Sequence, residues 1–507
     1  MPNLSQSKIV SPSSPFEVHA NFDPARTIVI VGAGFSGTMV AAHLLRNGSD
    51  NLTHVVLIER ATRFARGVAY GTTKPSHLLN VPVGRMSALP DDPDDFLKWA
   101  KGRDPSIGGH TFAPRALYGE YLNDLLNQAG KIASPHVRIT RLCDEVVDIR
   151  PRRPGGRYIV TLKSGKSLAS EQIVLALGNF APADPPIGDM TFYESSRYVR
   201  HPWSAGALAA IKADEPLLIV GTGLTMIDIV LELRDRGHHA PIHAVSRRGL
   251  LPQPHRSPTR PPTYRFSEQD VEAWDKSALG LLRQVRRELK VAARTGDDWR
   301  EVINSLRPVT QKLWRSLDHT EQRRFLRHIR PLWEVHRHRA PNESATIIQA
   351  MIDAGRLVIH RGRICSFAPK GEGVEIAIQP RGSNRLERIR AGHVVNATGP
   401  ETDLSRVRDP LLASLRGRGL IRPDALGLGL DANDEGAVIT AEGETHPAIS
   451  VIGPLRRGQL WESTAVPELR VEAANLAKRL LARGSSLTCP EGQLGDLLHS
   501  QQLAMLS

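Results

Sequence analysis

Two glycine-centred constellations in this chain of 507 residues carry residue types and spacings that could do chemistry, and both read as phosphate cradles. In the first, Gly32, Gly34 and Gly37 follow the apolar run 28–31. Glycine at the first of these positions permits a tight turn, at the second lets the backbone approach a pyrophosphate, and at the third lets the next helix pack against the strand. The phosphate then meets the free N–H groups of a helix N-terminus. The apolar run 55–58 ends in Glu59, about twenty residues on, where a carboxylate grips ribose hydroxyls. In the second constellation Gly221 and Gly223 follow the run 217–220, and Met226 stands in place of the third glycine, which implies a looser contact between helix and strand. The run 242–245 ends not in an acid but in Ser246, Arg247 and Arg248. A hydroxyl and two guanidinium groups suit a ribose 2′-phosphate, because arginine bonds phosphate bidentately whereas a carboxylate repels it. Two arginines merely solvated after a strand are the plainer alternative.

Holding these groups takes a strand before each turn and a helix after it. The first helix is expected through 39–45, stopping near Gly48, and the second runs to Gly237. Each copy is followed by short alternating strands and then a strand closing in a small-residue turn: 137–140, 158–162 and 173–177 before Gly178 and Asn179, and 357–360, 374–378 and 394–397 before Thr398, Gly399 and Pro400. Repetition of a whole plan predicts an α/β chain with two Rossmann-like dinucleotide-binding domains. After Gly399 another strand-like run, 449–452, meets Gly453 and precedes a helix near 466–481, so the first fold is expected to be split between the ends of the chain. The division predicted is a flexible arm 1–26, the first fold in 27–212 and 396–485, the second in 213–254 and 341–395, a helical insertion 255–340, and a tail 486–507.

Composition agrees with a globular protein of more than one core: 40% hydrophobic, 23% charged, 5% aromatic. The net charge of +13 admits nucleic acid or an anionic cofactor or substrate without choosing between them. Cys143, Cys365 and Cys489 lie too far apart for a CxxC pair or a metal-ligand spacing, which argues against a disulfide reductase and a zinc site. No apolar run reaches the length of a membrane helix and the N-terminus lacks a secretion pattern, so a cytoplasmic protein is expected. Residues 321–340 hold six arginines and three histidines against two glutamates. A solvated or phosphate-facing helix surface explains them, and nucleic-acid binding has a weak claim without a recognised module.

Several longer stretches, IVIVGAGFSG (28–37), GVAYGT (67–72), HLLNVPVGRMSALPDDPDDFLKW (77–99), VGTGLTMID (220–228), SRRG (246–249), HRHRAP (336–341) and NATGP (396–400), carry a more specific resemblance. From Ile28 to about Leu481 the chain resembles the FAD/NAD(P)-binding proteins of the two-dinucleotide flavoprotein superfamily, whose relatives include amino-acid N-hydroxylases. The resemblance implies FAD in the first fold and NADPH in the second. It runs the segment after the acid-ended strand beside the flavin ring, placing His77, Asn80, Arg85 and Met86 there. Asn80 would then support the flavin or a flavin-bound peroxide, unless it closes the turn before Pro82. His77 is a candidate proton carrier or a structural hydrogen-bonder. Asp91, Asp92, Asp94 and Asp95 surround Pro93 and are expected to cap and solvate a helix over 96–99, since they match no calcium loop. The FxGxxxH element of flavin-containing and Baeyer-Villiger monooxygenases has no counterpart, because Phe192 and His201 stand nine apart without the matching glycine. The resemblance therefore runs to the N-hydroxylating branch, or to a branch with another oxidisable substrate.

Three functions compete. The first is an NADPH-dependent flavin monooxygenase that uses molecular oxygen: hydride reduces FAD, the C4a-hydroperoxyflavin forms, and one oxygen atom reaches a small substrate, foremost an amine nitrogen. The second is an electron-transfer reductase, and the third a redox-sensing or nucleic-acid-binding flavoprotein. Arg337, His338 and Arg339 are the candidates for binding a substrate carboxylate or the NADPH phosphates, so a small anionic amino acid is admissible; a solvated charge run is the alternative.

Overall fold

The computed structural model describes residues 26–152, 156–256 and 266–482. The predicted arm, apart from Arg26, and Cys489 lie outside the described residues. Of the two principal sheets, the first has six strands in the order Ala437–Ile439, Thr445–Val451, Gln172–Leu175, Arg26–Val31, Thr53–Glu59, Val137–Cys143. All neighbours are parallel except the terminal antiparallel strand Ala437–Ile439. In register, Ile28 faces Val55 and Ile30 faces Leu57. The strand Arg26–Val31 is buried throughout, which is why it reads as an unbroken apolar run rather than an alternating one. The C-terminal strand Thr445–Val451 lies beside Gln172–Leu175, so the chain does return to its first sheet.

The second sheet repeats the arrangement in the order Glu387–Ala391, Gly373–Pro380, Leu357–Lys370, Ile242–Ser246, Leu217–Val220, His393–Asn396, Tyr198–Val199. Its last five strands in that order are parallel, with Ala244 facing Ile219 and Val245 facing Val220. Two expectations need correcting. Val137–Cys143 and the start of Leu357–Lys370 are not part of an alternating meander but parallel strands of the main sheets, each third in its series. The antiparallel pairs come afterwards, in the three-stranded sheet Val146–Pro151, Tyr158–Leu162, Ser167–Ser170 and in the extension through Gly373–Pro380. The crossing to the second sheet also precedes the expected boundary at 212, since Tyr198–Val199 already pairs with His393–Asn396.

Helices cover the first sheet on one face, where Phe35–Asn47, Arg115–Lys131 and Val466–Ala482 share a core with Met39, Leu44, Tyr118, Leu122 and Ala473 fully or almost fully buried. The insertion is helical from Glu268 to Arg337 with short breaks. Trp314 stacks on Trp461 at 4.9 Å and donates its indole N–H to the Gly458 carbonyl. Arg307 grips Glu468 through two hydrogen bonds of 2.7 and 2.9 Å. These contacts seat the insertion on the loop and helix that close the first fold.

Candidate active site

At the first turn, the structure separates glycines that pack from glycines that leave room. A Cβ on Gly37 would stand 1.9 Å from the Gly32 carbonyl oxygen, and one on Gly32 would stand 2.4 Å from the Ala176 oxygen. On Gly34 it would meet only the Cα of Gly67, at 3.7 Å, with the rest of its surroundings open. The GVAYGT segment thus abuts the turn at Gly67. The Glu59 carboxylate accepts from the Ala33 N–H at 2.8 Å through one oxygen and from the Ala61 N–H at 3.0 Å through the other. Each carboxylate oxygen can accept more than one hydrogen bond, so both retain capacity for ribose hydroxyls.

The second turn follows the same logic with a different helix packing. Gly221 lies against the Ala397 carbonyl, where a Cβ would stand 2.4 Å away, and Gly223 has nothing within 4 Å. Met226 is completely buried, filling with its side chain the space that a third glycine leaves to close helix approach. Ser246 differs from its expected role in part: its hydroxyl contacts Thr222 Oγ1 at 2.9 Å and accepts from the Gly249 N–H at 3.0 Å, which shapes the turn. Arg247 is exposed, and neither it nor Arg248 has a carboxylate partner among the described residues. Gly399 is open on its outer side, whereas Gly453 lies over the first turn, where a Cβ would come within 2.8 Å of Ser36 Oγ.

Between the two folds and the insertion lies a cavity of about 900 Å³. One wall is the segment carrying Asn80, Arg85 and Met86; the other carries Arg337, His338 and Arg339. Residues 251 to 259 positions apart are therefore brought together as candidates for one site. The Asn80 carbonyl accepts from His255 Nε2 at 2.9 Å, while its carboxamide has no protein hydrogen bond among the described residues. Burial lowers the His255 imidazole to about 4, with Arg339, Arg85 and Arg300 adding to the effect. Arg339 is 5% exposed. Its Nε and Nη2 donate to the carbonyls of His336 and Arg300, and burial first, then Arg337 and Arg300, bring it down to about 10. Arg337 has two buried nitrogens, Nε and Nη2, without a hydrogen bond, and its nearest carboxylate, Glu462, is 3.7 Å away.

His77 does not line this cavity. It is 2% exposed, its Nδ1 paired with Thr72 Oγ1 at 2.7 Å and its Nε2 with the Asp228 carbonyl at 3.2 Å. Burial lowers its affinity for a proton. The proton-carrier reading thus gives way to a joint between the two folds, completed by Arg115 Nη2 donating to Asp228 at 2.7 Å and Lys74 meeting Glu232 at 3.2 Å. Burial raises the Asp228 carboxyl, opposed by Arg115 and His77. The acidic cluster mostly follows expectation: Asp91 pairs with Arg46, Asp92 with Lys98, and Asp95 accepts from Tyr121, beside a helix that extends over Asp95–Arg103. Asp94 makes no side-chain cap and lines the cavity instead.

Two acids at the site escaped sequence reading. Glu301, 3% exposed, lines the cavity with one carboxylate oxygen unpartnered. Glu462, 4% exposed, has a left-handed backbone at φ 75, which costs a non-glycine residue of order 1 kcal/mol and marks a conformation the surroundings impose. Neither has a local motif; their partners lie far away in the chain.

The chain matches the model of an FAD-NAD(P)-binding family over residues 29–180. No curated protein matches it. Among solved structures it is similar to the reduced form of the ornithine hydroxylase of Pseudomonas aeruginosa, at 16% identity and a TM-score of 0.61, over 90% of this chain and 99% of the other. The L-lysine 6-monooxygenase of Pseudomonas syringae is 18% identical with a TM-score of 0.60, over 90% and 99%. The ornithine N-hydroxylase of Kutzneria sp. 744, solved with reduced FAD, NADP+ and L-ornithine, is 14% identical with a TM-score of 0.59, over 91% and 100%. Residues 29–180 thus form an FAD-NAD(P)-binding domain, in a chain that has the two-dinucleotide fold of these flavin monooxygenases.

Proposed function

We propose that the protein is an NADPH-dependent flavin monooxygenase that hydroxylates the amine nitrogen of a small, carboxylate-bearing substrate. The observation that carries this reading is the cavity itself, with the Asn80–Met86 segment on one wall and buried guanidinium groups on the other. The residues present fit both cofactors. The first turn, with its open Gly34 and the Glu59 carboxylate, would hold FAD, while Gly221, Gly223, Arg247 and Arg248 would hold NADPH. When bound, the pair supplies hydride transfer and dioxygen activation. Across the reaction an amine, O2, NADPH and a proton become a hydroxylamine, NADP+ and water.

The chain's own contribution is placement. The Asn80 carboxamide is free to hydrogen-bond a group on the flavin side of the cavity, and the His255 ring fixes its backbone. Arg339 has one terminal nitrogen without a hydrogen bond among the described residues, and Arg337 two unpartnered nitrogens. A carboxylate supplies the acceptors that these donors lack, and such charge-assisted bonds are the strong ones. The insertion supplies part of the cavity lining, with Arg300, Glu301 and Asn304.

The test is NADPH oxidation by the flavin-loaded protein with a panel of ornithine, lysine, shorter amino acids and pentane-1,5-diamine. Hydroxylamine and hydrogen peroxide are quantified together. The reading expects hydroxylated product from a carboxylate-bearing amine in preference to the diamine. NADPH oxidation that yields no oxygenated product from any amine, but proceeds without oxygen when a quinone is supplied, replaces it with an electron-transfer reductase.

A further inference from the structure

A second cavity, of about 500 Å³, lies beside the first and shares Arg307, Pro308 and Arg337 with it. It reaches the surface near Asp434 and Arg315, whose side chains are 78% and 44% exposed. His338 lines the first cavity and Glu462 the second, and the two side chains meet, with His338 Nε2 3.3 Å from Glu462 Oε1. Where the two cavities adjoin, an imidazole and a carboxylate face each other.

We propose that His338 is the catalytic base that takes the proton of the substrate ammonium, with Glu462 as its positioning residue, and that the proton leaves through the second cavity. This rests on the N-hydroxylase reading, because an amine must lose its proton before its lone pair can attack oxygen. At the step itself the substrate N–H bond breaks as an Nδ1–H bond forms on His338. The Nε2 proton is then released on the Glu462 side to water in the second cavity, so the ring ends neutral and one proton has crossed.

Three observations support the assignment besides the contact. His338 Nδ1 has no protein hydrogen bond among the described residues, so it is available to the first cavity, whereas both nitrogens of His77 are engaged. Glu462 is fixed by the Trp333 indole N–H at 2.8 Å, by its left-handed backbone and by Arg337 at 3.7 Å, and its Oε2 has no hydrogen bond. Burial works against its charge, but His338, Arg337 and Trp333 outweigh that and hold the carboxyl well below the usual range. It therefore stays an anion that orients the ring and does not itself keep the proton. A side chain held in this way by a third group is how a general base is preorganised. Other charges face the pair. Glu334, on the helix Arg330–Arg337 that ends just before His338, is itself paired with Arg330 and Arg457; Arg337 and Arg339 flank the ring in sequence, and Arg307 is held by Glu468. Glu462 is the carboxylate in contact with the ring.

The test uses the flavin-loaded full chain and the variants His338→Gln, His338→Ala and Glu462→Gln, with FAD content and thermal midpoint reporting folding. With an amine substrate and NADPH at saturation, His338→Gln and His338→Ala are expected to lower the rate of hydroxylated product about 100-fold, a larger loss than in flavin reduction by NADPH. Imidazole added to His338→Ala restores product. Peptide-mapped diethyl pyrocarbonate labelling of His338 reads the availability of its ring directly, without turnover. Glu462→Gln, which removes the carboxylate that orients the ring, is expected to change the labelling rate of His338 and to lower the rate of hydroxylated product at wild-type FAD content. Unchanged product rates in folded His338 variants, or labelling and product rates that Glu462→Gln does not change, overturn the proposal while the N-hydroxylase reading stands. If the wild-type protein makes no hydroxylated amine, that reading fails first, and the proposal falls with it.

Discussion

Gly34 and Gly37 belong to one turn and answer to different constraints. Gly37 faces the chain's own backbone, with no room for a Cβ, whereas Gly34 has a backbone of φ −71 and ψ −162 that any residue adopts, and empty space beside it. A side chain at Gly34 should therefore leave the fold intact and fill the place of a pyrophosphate. Gly34→Val is expected to keep a thermal midpoint close to wild type and to purify without flavin; Gly37→Val is expected not to fold at all. Equal flavin content in Gly34→Val and wild type would remove the turn from the cofactor site. At the second fold the test is a ratio. With Arg247 and Arg248 free of carboxylates, replacing both by alanine should raise KM for NADPH by about 30-fold or more, as expected from losing charge-assisted contacts of about 2 kcal/mol. KM for NADH should change little. A parallel rise for both cofactors would leave the two arginines a structural role.

Elements that read clearly in the sequence were those whose signal is local. The parallel strands Arg26–Val31 and Leu217–Val220 are buried on both faces and announce themselves as apolar runs, and each glycine turn follows within a few residues. The pairing of both walls of the cavity is not local: Asn80 and Arg339 line one cavity only because the insertion folds back over the first domain, and no periodicity encodes that. The helix Arg115–Lys131 escaped notice, and with it Arg115, whose partner Asp228 lies 113 positions on. That joint has measurable weight. Asp228→Ala strands a guanidinium whose side chain is 16% exposed, and breaking a buried pair on one side costs about 3 kcal/mol or more, whereas replacing both partners by apolar residues is often neutral. Asp228→Ala is expected to lower the thermal midpoint by several degrees and to slow flavin reduction, since hydride transfer tolerates little misplacement. Arg115→Met combined with Asp228→Leu should recover most of the stability. Its recovery of the reduction rate reads whether the joint also fixes the relative placement of the folds; if Asp228→Ala alone changes neither quantity, the joint is incidental.

For the molecule as a whole, buried histidines set a limit on the acid side. His43, His255 and His446 are each brought down to about 4, with burial the largest cause in every case. An exposed histidine in the unfolded chain titrates near 6.5. Between those values the unfolded chain binds protons that the folded one refuses, so the stabilisation is fully present above about pH 6.5 and is lost as pH falls toward 4. For His255 alone the limit is about 3 kcal/mol, and the other two act in the same direction. His446 accepts from the N–H groups of Ala448 and Ile449 through Nδ1, a role that only the unprotonated nitrogen can fill. His255 has a further consequence, because its ring holds the Asn80 backbone and lines the cavity beside Arg85 and Arg339. A positive charge there repels those arginines and loosens the wall proposed to face the flavin. Thermal midpoints measured from pH 7.5 to 4.5 are expected to fall steeply below about pH 6, with flavin release preceding global unfolding. His255→Gln, which can still donate to the Asn80 carbonyl but cannot charge in this range, should flatten the early release while leaving the later unfolding, which His43 and His446 continue to drive. A wild-type midpoint that stays level down to pH 4.5 would show that these rings accept protons in the folded protein as readily as in water, and the connection drawn from burial to acid lability would fail with it.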